Sequence, residues 1–183
     1  MTNDVDEQGR RLIHRRKVEC LGYLRADGLW DIEGRLDDSK THPVTLAEGR
    51  ALAIGQTFHG MYIRLTLDDD FIVREVQVCM PQVPTSECRA AAPAYEKLLG
   101  ERIGAGFSRR IKELFGGIGG CVHLTELLLP IATTAFQTIP MARAMIAPRT
   151  AADTEAYNRA TAGLLNTCHA LRDDSPVAIL LKK

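Results

Sequence analysis

The chain has 183 residues, 45% apolar and 25% charged, with 23 basic and 23 acidic side chains and a formal net charge of zero. That is enough for one domain with a sizeable core, and too balanced for a nucleic-acid partner, which calls for a basic face. The longest apolar run, Leu127 to Ile139, is broken by Pro130 and several threonines and is too short for a bilayer, so no membrane partner is expected.

Residues 1–9 read as a disordered, acidic N-terminus, unlike a signal peptide, and residues 10–183 as a single α+β domain. The expected compartment is the cytoplasm, where five scattered cysteines stay reduced unless a metal holds them. Leu12 to Leu24 predicts a strand with His14, Arg16, Val18 and Cys20 on one face. Asp27-Gly28 marks its turn, and Leu29 to Leu36 the returning strand. Asp37 to Gly55 reads as a loop with a short helical option at Leu46–Leu52. Met61, Ile63, Leu65 and Leu67 alternate as a strand, Asp68-Asp69-Asp70 turns the chain, and Phe71 to Met80 pairs back. These two hairpins predict a small N-terminal antiparallel sheet.

After Pro81 the period changes to that of helices. Pro84-Thr85-Ser86-Glu87 opens a helix that runs to about Leu99 and stops at Gly100. A second spans Gly106 to Phe115, with Phe107, Ile111, Leu114 and Phe115 inward. A third begins near Cys121 and continues to about Thr138, and a fourth covers Ala152 to Leu171. Strands first and about four helices second means α+β, with helices packed on one face of the sheet.

The stretch Gly116-Gly117-Ile118-Gly119-Gly120-Cys121-Val122-His123 is the densest in chemistry. Glycines let a backbone approach a ligand, a helix start favours a thiolate, and thiolate and imidazole are common zinc and iron ligands. His123 and Glu126, three apart, share a helical face. His59 in the loop before a strand and Cys88 at a helix start could complete a site. His14 and Glu33, from opposite strands of the first hairpin, could face each other as an acid–base pair. Each also has a plain structural reading, as a core thiol, a solvated loop imidazole or a surface contact. Cys79 and Cys20 read as core.

The segments Asp27-Gly28-Leu29-Trp30-Asp31-Ile32-Glu33-Gly34, His59-Gly60-Met61 and Gly120-Cys121-Val122-His123-Leu124-Thr125-Glu126-Leu127 resemble a bacterial family described only as a domain of unknown function, over roughly residues 10–181. More distantly, the order of hairpin, cysteine-bearing helix and late cysteine resembles the U-type iron–sulfur scaffold proteins. That likeness implies a ligand set of His59, Cys88 and Cys121. Here a histidine stands for the first scaffold cysteine, Met61 for the aspartate, and Gly120 for the histidine before the third cysteine, with His123 two residues after it. Two imidazoles with thiolates suit zinc or ferrous iron better than a shared cluster.

The expected function is a Zn- or Fe-dependent small-molecule enzyme, a lyase, decarboxylase or hydrolase. Its metal ligands would be His59, Cys88, Cys121 and His123, its proton-transfer groups Glu126, Glu33 and His14, and its walls Trp30, Tyr62, Phe58 and Phe136. The family likeness suggests bacterial catabolism, aromatic compounds included. A zinc, iron–sulfur or sulfur carrier is the first alternative, and a metal-free structural domain the second. A small-molecule substrate and a homo-oligomer are the expected partners.

Overall fold

The computed structural model describes residues 5–146, 165–166 and 168–181. The chain divides into two compact units, 1–135 and 136–183.

The first unit is built on four long antiparallel strands, β1 (His14–Leu24), β2 (Trp30–Lys40), β5 (Thr57–Leu67) and β6 (Val73–Gln82). A small hairpin of β3 (Val44–Thr45) and β4 (Ala51–Leu52) occupies the connection between β2 and β5. The long strands form one sheet in the order β1-β2-β5-β6. The two predicted hairpins are both present, and β2 and β5 join them into one meander. The first turn closes on Gly28 at φ 85°. The second is held by Asp68, whose Oδ1 accepts the amides of Asp70 and Ile72 at 2.9 and 3.0 Å.

Two expectations for residues 37–55 fail. β2 continues to Lys40, and the helical option at 46–52 is instead the tip of the β3–β4 hairpin, where Leu46 donates to the Arg50 carbonyl at 2.9 Å. A polar run ends a strand only if it faces water, and here every second residue still faces the core. Trp30, Ile32, Gly34, Leu36 and Asp38 are all buried on that face. Opposite them in β5 lie Met61, Ile63, Leu65 and Leu67.

The segment Ser86–Leu98 is a 3-10 helix with Pro93 inside it. Proline has no amide to donate and so interrupts the α-helical ladder expected there. Helix α1 spans Phe107–Phe115 and buries Phe107, Ile111 and Phe115, with Leu114 half-buried. Helix α2 spans Val122–Ile146, past the predicted end at Thr138. Leu124, Leu127, Leu128, Ile131 and Ala135 recur at helical spacing as its buried stripe. That stripe meets the sheet over Gly34: a Cβ there would stand 2.7 Å from Ile131 Cδ1 and 3.6 Å from Leu127 Cβ.

The glycine run before α2 is closely packed at its two ends, Gly116 and Gly120, while Gly117 between them stands in open space. A Cβ on Gly116 would fall 2.5 Å from the Lys112 carbonyl oxygen, and one on Gly120 3.0 Å from both Phe115 Cβ and the Tyr95 hydroxyl. Tyr95, fully buried and stacked on Phe115 at 4.5 Å, fixes the start of α2. Its hydroxyl accepts the Cys121 amide at 3.1 Å and lies 2.8 Å from the Cys121 carbonyl and 2.7 Å from Thr125 Oγ1.

In the second unit, α2 continues from Phe136, and a short helix, Pro176–Leu181, starts on Ser175, whose hydroxyl accepts the Ala178 amide at 3.0 Å. The predicted fourth helix, 152–171, falls mostly outside the described residues. Its end is a 3-10 turn, His169–Leu171. Among the described residues, no helix is long and apolar enough to cross a membrane. The class is α+β.

Candidate metal centre

The centre of interest is Asp38, on the buried face of β2. Its carboxylate has almost no exposure and meets side chains from three other elements. Arg16 of β1, its direct cross-strand partner, grips it with both arms of the guanidinium, Nε to Oδ1 and the second terminal nitrogen to Oδ2, each at 2.8 Å. His14, one diagonal step along β1, places Nε2 3.2 Å from Oδ1. His59 of β5 stands opposite Asp38 in register, with Nδ1 3.1 Å from Oδ2. His123, in the first turn of α2, places Nε2 3.9 Å from the same oxygen.

Local chain geometry explains this convergence. Asp38 pairs with His59 and Ser39 with Thr57, so Phe58 has no partner and β5 is bulged at the site. Bulges re-aim neighbouring side chains. Phe58 lies beside His59 at 4.5 Å between ring centres, and beside His14 at 5.9 Å, edge on. From the other side α2 lays His123 against His59, with ring centres 3.9 Å apart and planes at 34°.

One ligand atom from each of Asp38, His59 and His123 lies within 4.8 Å of the other two. A tetrahedral shell with bonds of about 2.1 Å holds its ligands about 3.4 Å apart, so binding one ion would draw this set closer together. Among the described residues it is the one such group of three.

The protonation states suit a cation. Burial, then the neighbouring His123, push the His59 pKa down against the pull of Asp38. Burial and Arg16 do the same to His123. Both rings are therefore biased toward the neutral form that offers a lone pair. Burial works to raise the Asp38 pKa, yet the Arg16 hydrogen bonds and charge outweigh it and hold the carboxyl below its ordinary value.

Of the residues singled out in the sequence, His59 and His123 come together, but His59 does so from within β5 and not from a loop. Cys88 and Cys121 stand outside the group. The Cys88 sulfur lies 3.4 Å from the Thr85 hydroxyl, and that of Cys121 3.9 Å from Met61 Sδ. Glu126 reaches the centre at one remove, through Arg16, at 2.7 Å. His14 and Glu33 do not face each other: His14 pairs with Lys40 and Glu33 with Leu21. Glu33 is on the opposite face of the sheet, where it accepts the Tyr62 hydroxyl at 3.0 Å. Trp30 is no wall either, since eight strand residues put it about 27 Å from Asp38, and its indole donates to Asp69. Tyr62 shares the outer face with Glu33. Cys79 is exposed and not core, while Cys20 is half-buried.

Asp38 and Arg16 are the residues that sequence reasoning missed. The available signal was the unbroken alternation from Trp30 through Leu36 into Asp38.

A family model described as "Protein of unknown function (DUF2889)" matches residues 14–137. The chain belongs to this family. The matched segment contains His14, Arg16, Asp38, His59, His123 and Glu126, so the whole cluster lies inside the family's domain. No curated protein and no solved structure matches the chain.

Proposed function

We propose that Asp38, His59 and His123 hold one divalent ion, zinc or ferrous iron, and that the centre serves a lyase- or hydrolase-type reaction on a small organic molecule. The observation that carries this reading is the mutual approach of the three ligand atoms within 4.8 Å, from strands β2 and β5 and helix α2. Two imidazoles and one carboxylate form a donor set that leaves coordination positions open, as catalytic zinc and non-haem iron sites do. The ion would polarise a substrate oxygen or lower the pKa of a bound water. Arg16 and His14 would orient the Asp38 carboxylate from behind, the usual task of groups around a ligand. Glu126, exposed and 2.7 Å from Arg16, would be the proton-transfer group. Catabolism of aromatic compounds remains the direction suggested by the family likeness.

Metal analysis of protein purified without chelator tests the reading. It expects about one ion per chain, lost in His59→Ala and His123→Ala and retained in Cys88→Ala and Cys121→Ala.

The two-armed grip of Arg16 on Asp38 favours a second reading, in which the cluster is a metal-free ion-pair network tying β1, β2, β5 and α2 together. A stoichiometry near zero, with no heat on titrating zinc or ferrous iron, would decide for it.

A further inference from the structure

The two edges of the sheet are treated differently. Along β6, residues 99–103 run beside the start of the strand, with Val73 donating to Glu101 at 2.9 Å, Gly100 to Val73 at 2.9 Å and Ile103 to Phe71 at 3.0 Å. Arg89 covers the far end by donating to the Met80 and Pro81 carbonyls at 3.1 and 3.0 Å. The outer edge of β1 has no partner strand among the described residues. It is eleven residues long, without proline, and most of it is exposed. Leu12 and Ile13 lead into it, held to β2 by Thr41, whose amide donates to the Ile13 carbonyl at 3.3 Å. A long edge with exposed apolar side chains is a template for another strand.

The sequence of this edge says which strand. A two-fold axis perpendicular to the sheet requires opposed residues to lie on the same face, so their numbers sum to an even value. Centred on Val18, the pairing sets Lys17 opposite Glu19 on both sides of the axis. It also sets Ile13 opposite Tyr23, 49% and 47% exposed, and stops short of Arg11, which pairs with Val5 of its own chain. Arg15 and Arg16 meet Leu21 and Cys20, so no like charges oppose between residues 13 and 23. Moving the centre by one residue places Lys17 or Glu19 opposite its own twin. Edge charges ordinarily keep a second copy away; in this one register they attract it, and Ile13 and Tyr23 cover each other at the two ends.

We infer that β1 is the interface of a homodimer, two copies adding edge to edge in antiparallel pairing centred on Val18 to make a continuous eight-stranded sheet. The inference does not depend on the metal centre. His14 would face Gly22 of the second copy, which leaves room over its ring.

Light scattering behind size exclusion, run from micromolar to millimolar chain, should give twice the 20.2 kDa mass of the chain at the upper end. Lys17→Glu creates two Glu–Glu pairs per dimer and should weaken association about tenfold. The swap Lys17→Glu with Glu19→Lys should restore it, which separates an interface effect from misfolding. Val18→Cys sits on the axis, where opposed backbones approach within disulfide range. Mild oxidation should cross-link it faster than the parent chain, whereas Gly22→Cys should not. A single-chain mass throughout, a dimer indifferent to Lys17→Glu, or equal cross-linking of the two cysteine variants would each overturn the proposal.

Discussion

At the scale of single residues, everything turns on one buried carboxylate and the side chains gathered around it. Asp38→Asn keeps the shape but removes the charge that balances Arg16 and would bind an ion. Zinc affinity by calorimetry should fall at least about 100-fold. Cys121→Ala, whose sulfur lies 3.9 Å from Met61 Sδ and is not one of the grouped ligand atoms, should leave that affinity unchanged. The same cluster gives folding stability a pH dependence with a defined sign. His59 and His123 have depressed pKa values in the folded chain. The unfolded chain therefore takes up protons first as pH falls. Their contribution is complete above about pH 6.5 and declines as pH drops through that value. Asp38 acts at lower pH, its contribution being lost only as pH falls through its own depressed value. The urea midpoint should thus decrease between about pH 7 and pH 5, and His59→Gln should flatten that slope.

At the scale of elements, the site depends on where α2 begins and how closely it lies on β2. Tyr95 decides the first. Its hydroxyl holds the backbone of Cys121, two residues before His123. Tyr95→Phe leaves the Cys121 amide and the Thr125 hydroxyl short of a partner and should cost about 1–3 kcal/mol in denaturant unfolding, with weaker metal binding. Burial pushes the Tyr95 pKa up to about 12, so the hydroxyl keeps its proton across ordinary conditions. Gly34 decides the second. A methyl there overlaps Cδ1 and Cγ1 of Ile131, which is fully buried. Gly34→Ala should destabilise by about 1–3 kcal/mol, and adding Ile131→Val, which removes the Cδ1 at 2.7 Å, should recover part of it in thermal or urea unfolding.

At the scale of the whole molecule, 23 basic and 23 acidic side chains cancel, so solubility should pass through a minimum near pH 7 and rise on either side, as a precipitation series would read. The sequence by itself determined the two long hairpins and the start of α2, because alternation from Met61 to Leu67 and helical spacing from Leu124 to Ala135 are properties of one face and need no partner to be seen. It also determined the turns at Gly28 and Asp68, and it singled out His59 and His123. The tertiary structure alone decided that β2 runs on through Asp37-Asp38-Ser39-Lys40, because a polar strand end is stable only when another strand and helix supply its partners. It decided that Asp38, and neither Cys88 nor Cys121, joins the two imidazoles in one group, and that Glu33 turns away from His14, because register and face are set by pairing across strands. And it decided that Asp38, which reads as loop in the chain, is the residue on which β1, β2, β5 and α2 converge, since a carboxylate stays charged in a core only where cations and imidazoles from distant segments are folded around it.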